Sequence, residues 1–83
     1  MYVTAGCPYC QAAARLLAQK GIGDLETVRV DLEPQRRVEM QARSGQRTVP
    51  QIWIGARHVG GCDELYALER AGELDALLET ERT

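Results

Sequence analysis

No stretch of this 83-residue chain approaches the ~20 consecutive apolar residues of a membrane-spanning helix, so no transmembrane segment is expected. The opening Met1–Tyr2–Val3–Thr4 has neither the charged region nor the apolar run of a secretory leader, which makes the cytoplasm the expected location. Charge of one sign is also in short supply. Ten Lys and Arg oppose twelve Asp and Glu, for a formal net charge of −2, too weak a field to suggest a nucleic-acid or membrane partner. Cysteine is scarce: three residues cannot all pair within one chain, and a disulfide-stapled scaffold would need more. In a reducing compartment, clustered cysteines point to catalysis or metal binding before they point to staples. No repeat, linker or low-complexity tract interrupts the chain, and its length suits one domain over residues 1–83. A domain this small buries only about 60% of its unfolded surface, which leaves its chemistry to a few side chains.

What is present is ordinary globular composition, 45% hydrophobic and 27% charged, with local charge patterning. Arg36, Arg37, Arg43, Arg47 and Arg57 crowd the middle of the chain, while Glu69, Glu73, Asp75, Glu79 and Glu81 make its end acidic. These are two solvated faces of opposite sign, or else some of the arginines collect an anionic ligand. Val3 and its neighbours form a short apolar start. From Pro8 the spacing of Ala12, Ala13, Leu16 and Leu17 predicts a helix, which Lys20 and Gly21 close. Glu26–Val30 alternates as a strand. Pro34 opens a second helix and Gly45 ends it. Its apolar face is weak, chiefly Val38 and Ala42, so it is expected to lie partly exposed. Ile52–Trp53–Ile54, a turn at Gly55–Ala56, and Arg57–His58–Val59 read as a hairpin. After Gly60–Gly61, Asp63 opens a helix with Leu65 and Leu68. Gly72 interrupts it, and Leu74, Leu77 and Leu78 continue. The order β-α-β-α-β-β-α predicts an α/β fold: a four-stranded mixed sheet flanked by helices, with the first two strands parallel.

Three short motifs carry the chemistry. Cys7–Pro8–Tyr9–Cys10 falls at a strand-to-helix junction, where a C-x-x-C reads as a redox motif. At the N-cap, open backbone N–H groups and the helix dipole favour an anion, and the thiolate is the nucleophilic form of cysteine. Pro8 fits the first helical position. Cys10, one turn further in, is expected to be shielded and placed to resolve a mixed disulfide. The alternative is a zinc site in which His58 and Cys62 join the two cysteines, although Pro8–Tyr9 makes a poor zinc knuckle. Thr48–Val49–Pro50 is a strand entry whose X–Pro bond could be cis. Gly60–Gly61–Cys62–Asp63 would let a ligand approach closely and would leave helix N–H groups open to a carboxylate, unless it is a plain turn capped by Asp63.

In this order and spacing the three motifs resemble the glutaredoxin family, over about Tyr2 to Leu78. The resemblance is to the small bacterial dithiol members. It implies a thioredoxin fold with Val49–Pro50 cis, no metal, and glutathione as co-substrate. Cys7 and Cys10 would be catalytic. Val49 would pair through its backbone with the cysteinyl segment of glutathione, Thr48 and Pro50 would lie alongside, and Tyr9 would line the sulfur side. Gly61, Cys62 and Asp63 would hold the γ-glutamyl end. Arg37 falls where the family often contacts the glycyl carboxylate, a role that suits a guanidinium.

The implied activity is glutathione-dependent reduction of protein disulfides and glutathione mixed disulfides. The partners would be glutathione, disulfide-containing or glutathionylated proteins, and indirectly glutathione reductase, with the chain acting as a monomer. Two alternatives stay open: an electron donor reduced by thioredoxin reductase, and a carrier of a glutathione-ligated iron–sulfur cluster. Two departures from the family stand out. Thr4 replaces a frequent lysine, for which Arg37 or Arg47 would have to compensate. The first strand also looks clipped, so an extended version is expected to melt higher.

Overall fold

The computed structural model describes residues 1–23 and 25–82. The elements run β1 (Tyr2–Val3), α1 (Pro8–Gln19), β2 (Val28–Arg29), α2 (Pro34–Ser44), β3 (Ile52–Ile54), β4 (Arg57–Gly60), α3 (Cys62–Arg70) and α4 (Leu74–Arg82). β1 and β2 pair in parallel, and β3 and β4 pair antiparallel with a bulge between Ile52 and Trp53. The two ladders meet at one antiparallel bridge, Tyr2 with Gln51, in which Tyr2 N–H donates to Gln51 O at 2.9 Å and Gln51 N–H donates to Tyr2 O at 3.2 Å. The mixed sheet is therefore ordered β2-β1-β3-β4. Its centre is a single bridge because β1 is only two residues long.

Local chemistry sets the element ends. Pro8 and Pro34 stand in the first turns of α1 and α2. There a missing N–H costs nothing, since the first-turn amides have no partner within the helix. Gly45, at φ +73°, ends α2 in the left-handed region that favours glycine. The strand expected over Glu26–Val30 shrinks to Val28–Arg29, although hydrogen bonds from Val28 N to Met1 O and from Val30 N to Val3 O extend its pairing. The last helical stretch is two helices, broken at Gly72. Lys20 ties that break to the end of α1 through ion pairs to Glu69 (2.7 Å) and Asp75 (3.0 Å).

The period-two alternation of β3 divides the core. Ile52 and Ile54 pack with Ala13, Leu16, Leu17, Leu65, Leu74 and Leu78 beneath α1, α3 and α4. On the other face Tyr2, Val30 and Met40 form a smaller cluster with Val28, Val49 and Trp53. Here α2 departs from expectation. Val38 is 67% exposed and Ala42 is exposed, and the residue that anchors the helix is the fully buried Met40. Around it, Arg43 lies over the Trp53 ring at 4.3 Å, so this helix docks through one apolar side chain and a polar–aromatic rim.

Candidate redox site and adjoining groove

Cys7 is the N-cap of α1, and its sulfur accepts the Cys10 N–H at 3.1 Å. The sulfur thus does what a Ser or Asp oxygen usually does at a helix start. Cys10 lies one turn in and is 5% exposed, whereas Cys7 is half-buried; all three cysteines are free thiols. Burial, reinforced by the hydrogen bond from Cys7 and by the charges of Cys7 and Cys62, pushes the Cys10 thiol up to about 11, with the Thr4 backbone working the other way. The inner sulfur is accordingly held as a thiol at neutral pH.

The loop that delivers Cys7 is anchored from the end of β2. Arg29 forks onto Asp31 with bonds of 2.8 and 2.7 Å, and Asp31 accepts the Ala5 N–H at 3.3 Å. The Arg29 guanidinium holds the Asp31 carboxyl well below the usual carboxylate range, so this anchor stays charged under ordinary conditions.

Beside the redox turn lies a groove of about 530 Å³. It is lined by Tyr9, 65% exposed, by Thr48–Val49–Pro50 and by a wall of Gly61–Cys62–Asp63. Val49–Pro50 is cis. The Pro50 segment and the start of α3 approach closely: a Cβ on Gly61 would stand 3.3 Å from the Pro50 carbonyl oxygen, while one on Gly60, at φ +117°, would strike the Glu64 side chain. α3 starts with Gly61 at its N-cap and Cys62 at its first position, one residue earlier than expected. Glu64 Oε1 accepts the Gly61 N–H at 2.9 Å, and the first-turn amides of Cys62, Asp63 and Glu64 have no carbonyl partner within the helix. α3 is held to α1 by the buried Leu65 and by a bond from Tyr66 OH to Ala12 O of 3.3 Å, which fixes this wall relative to the redox turn.

The glutaredoxin family model matches residues 1–59. The chain belongs to the glutaredoxin family. The glutaredoxin of Pseudomonas aeruginosa is 56% identical over 78 residues, covering 94% of this chain and 92% of that protein. The solution structure of glutaredoxin from Brucella melitensis matches with a TM-score of 0.82 at 54% identity, over 95% of this chain and 85% of that one. A crystal structure of a buckwheat glutaredoxin–glutathione complex matches with a TM-score of 0.88 at 31% identity, over 96% of this chain and 74% of that one. This glutaredoxin has the thioredoxin fold and is a glutathione-dependent thiol–disulfide oxidoreductase.

Seven of the residues singled out for glutathione, namely Tyr9, Thr48, Val49, Pro50, Gly61, Cys62 and Asp63, meet in this one groove. Arg37 is not among those lining it. Its Nη1 donates to the carbonyl of Arg47, the residue after the lining residue Gln46, at 3.3 Å. Sequence reasoning missed Gln46, Gln51, Val59 and Glu64 as lining residues, and it placed His58 only as a strand residue or a zinc ligand. His58 instead stacks on Trp53 at 4.5 Å and bonds to Gln51. Among the described residues, no group of three or more His, Cys, Asp or Glu is arranged to hold a metal ion. The Glu64 contact could have been anticipated, because a Glu three residues into a helix is half of a capping box.

Proposed function

We propose that Cys7 is the nucleophile and Cys10 the resolving thiol of this glutaredoxin, and that the groove beside them holds glutathione. The observation that carries this reading is the convergence of Tyr9, the Thr48–Pro50 segment and the start of α3 on one groove next to the Cys7 turn. The cysteinyl segment of glutathione pairs with the backbone of Val49. The first-turn amides of Cys62 and Asp63 take the γ-glutamyl carboxylate, and the Asp63 carboxylate takes its ammonium. Arg37 swings from Arg47 to the glycyl carboxylate, so the missing lysine at Thr4 is covered from α2. The buckwheat complex supports a glutathione site on this fold.

With a glutathionylated protein, the Cys7 thiolate attacks the glutathione sulfur. A Cys7–glutathione disulfide forms, and the protein thiolate leaves and takes up a proton. A second glutathione thiolate then attacks the bound glutathione sulfur, releasing oxidised glutathione and regenerating the Cys7 thiolate. With a protein disulfide, Cys7 forms the mixed disulfide. Cys10 gives up its proton and attacks the Cys7 sulfur, so the protein leaves as a dithiol and Cys7–Cys10 is oxidised. Two glutathiones return that pair to the dithiol, and glutathione reductase recycles the oxidised glutathione. A high thiol pKa at Cys10 fits a resolver that stays protonated, and out of competition, until the mixed disulfide forms. The chain acts as one cytoplasmic domain and as a monomer, on glutathionylated and disulfide-bonded proteins, with neither nucleic acid nor membrane as partner.

The test is NADPH oxidation coupled through glutathione reductase, with a small glutathione mixed disulfide as substrate. Rapid turnover by the wild type that disappears in Cys7→Ser is the expected result. An inactive wild type would sink the glutathione reading and direct attention to thioredoxin reductase as the electron source.

A further inference from the structure

Gln51 is buried to 2% exposure, and both ends of its amide are committed. Nε2 donates to Thr48 O at 3.0 Å and sits 3.4 Å from Thr48 Oγ1, while Oε1 lies 2.8 Å from His58 Nε2. The polarity follows from the partners. A carbonyl oxygen can only accept, so the amide nitrogen must face Thr48, the amide oxygen must face His58, and His58 Nε2 must carry a hydrogen. His58 is itself held by its stack on Trp53, whose ring also carries Arg43 at 4.3 Å. The main chain of Gln51 is fixed as well, because it makes both hydrogen bonds of the bridge that joins the two ladders of the sheet. A rigid amide thus grips the carbonyl of Thr48, a residue that is otherwise exposed, two positions before the cis proline.

We propose that Gln51, braced by His58, is a positioning residue for glutathione recognition. It holds the Thr48 carbonyl and thereby sets the orientation of the Val49 backbone against which glutathione pairs. This rests on the reading of the groove given above. Gln51 touches no reacting atom, so its loss should be felt in substrate binding and not at the sulfur. Because Thr48 is exposed, its freed carbonyl would be rehydrated. The effect would be lost alignment, not an unsatisfied buried group.

The experiment uses the same coupled assay with a small glutathione mixed disulfide, together with iodoacetamide alkylation of Cys7, which does not need the groove. Gln51→Met keeps the volume and removes both hydrogen bonds. The expectation is a roughly five- to tenfold rise in KM, the size of one aligned hydrogen bond, with kcat within about twofold and the Cys7 alkylation rate unchanged. Gln51→Glu keeps an acceptor for His58 but offers Thr48 no donor, and should show the same KM rise. His58→Phe keeps the stack on Trp53 and removes the brace. It should raise KM by roughly two- to threefold alone and add nothing in the Gln51→Met background, since neighbours in one network are not additive. An exposed position such as His58 tolerates this change, so the test stands even if a Gln51 variant fails to fold.

An unchanged KM in Gln51→Met, a wild-type KM in Gln51→Glu, additive effects, or a parallel fall in Cys7 alkylation would each overturn the assignment. A wild type without saturable turnover would overturn the reading of the groove and this inference with it. A normal wild type beside an unaffected Gln51→Met would overturn this inference alone.

Discussion

Two helices of this glutaredoxin, α1 and α3, begin at the same groove, and each begins with a cysteine, yet the two starts differ in charge. At α1 the thiol is the cap: Cys7 Sγ accepts the Cys10 N–H, Pro8 follows, and no acidic residue stands in the first turn. At α3 the cap is Gly61, Cys62 is one position inside, and Asp63 and Glu64 fill the first turn. Burial, then the charges of Asp63, Cys7 and Glu64, push the Cys62 thiol up. A helix start favours an anion at either place. At α1 the sulfur itself stands at the cap and takes a first-turn N–H. At α3 carboxylates already occupy the positive end, and the first-turn amides there are what the proposed ligand would use. On the proposed reading, the same residue type at the same kind of position therefore serves as nucleophile in one helix and lines the glutathione groove in the other.

The largest effect should come from exchanging each sulfur for oxygen. Cys7→Ser is expected to lower turnover by more than roughly a thousandfold on every substrate, because an alcohol at neutral pH is a far weaker nucleophile than a thiolate. Cys62→Ser keeps the backbone amide that the groove uses, so kcat should hold and KM for a glutathione mixed disulfide should change by less than about threefold. Comparable losses in the two variants would erase the distinction between the helices. Cys10→Ser should come between them. Turnover of the small mixed disulfide survives, since glutathione can resolve it, while reduction of a protein disulfide falls by roughly one to two orders of magnitude. If Cys10→Ser were as dead as Cys7→Ser, the roles of nucleophile and resolver would be wrong.

These contrasts were only partly legible in the sequence. The motifs were visible because each combines a backbone requirement with a chemical one: Pro8 after Cys7, Pro50 after Val49, Gly61 before Cys62. Helix ends at Gly21 and Gly45 were legible for the same reason. The inner face of α2 was not. Val38, Met40 and Ala42 follow one another at a spacing of two, and nothing local says which one turns inward. The choice of Met40 is made by Tyr2 and Val30 across the sheet. Likewise Gln51 and His58 are seven residues apart across a bulged hairpin, and only the register of β3 on β4 brings their side chains together. Arg37 shows another limit: its position in sequence suggests a ligand contact, but only the structure shows that its guanidinium rests on the Arg47 carbonyl.

The raised Cys10 thiol gives a pH signature. In the reduced wild type its alkylation should climb about tenfold per pH unit until about 11. The folded state binds this proton more tightly than the unfolded chain does, whose thiol titrates near 8.5. The contribution of Cys10 to stability is therefore complete below about 8.5 and declines as pH rises toward about 11. In Cys7→Ser the charge of Cys7 is gone but burial, the larger cause, remains. The alkylation midpoint should fall below that of the wild type and stay above about 8.5. A midpoint at the ordinary value would mean that Cys7, and not burial, holds Cys10 protonated.

The smallest expected effect tests the electrostatics of α3 directly. Asp63 is the leading charge on the Cys62 thiol, after burial. Asp63→Asn removes that charge and leaves the helix start intact, so the thiol should ionise more readily and the alkylation rate of Cys62 at pH 8 should rise by roughly two- to fivefold. The measurement is best made in Cys7→Ser, which removes the competing nucleophile and, with it, the second charge on Cys62. The residual shift then belongs to burial, Asp63 and Glu64 alone. An unchanged rate would assign the inertness of Cys62 wholly to burial, and the contrast between the two helices would rest on packing instead of on the carboxylates at α3. A rise confined to Asp63→Asn, with little from Glu64→Gln, would follow from the tie between Glu64 and the Gly61 N–H, which already engages that carboxylate at the helix cap.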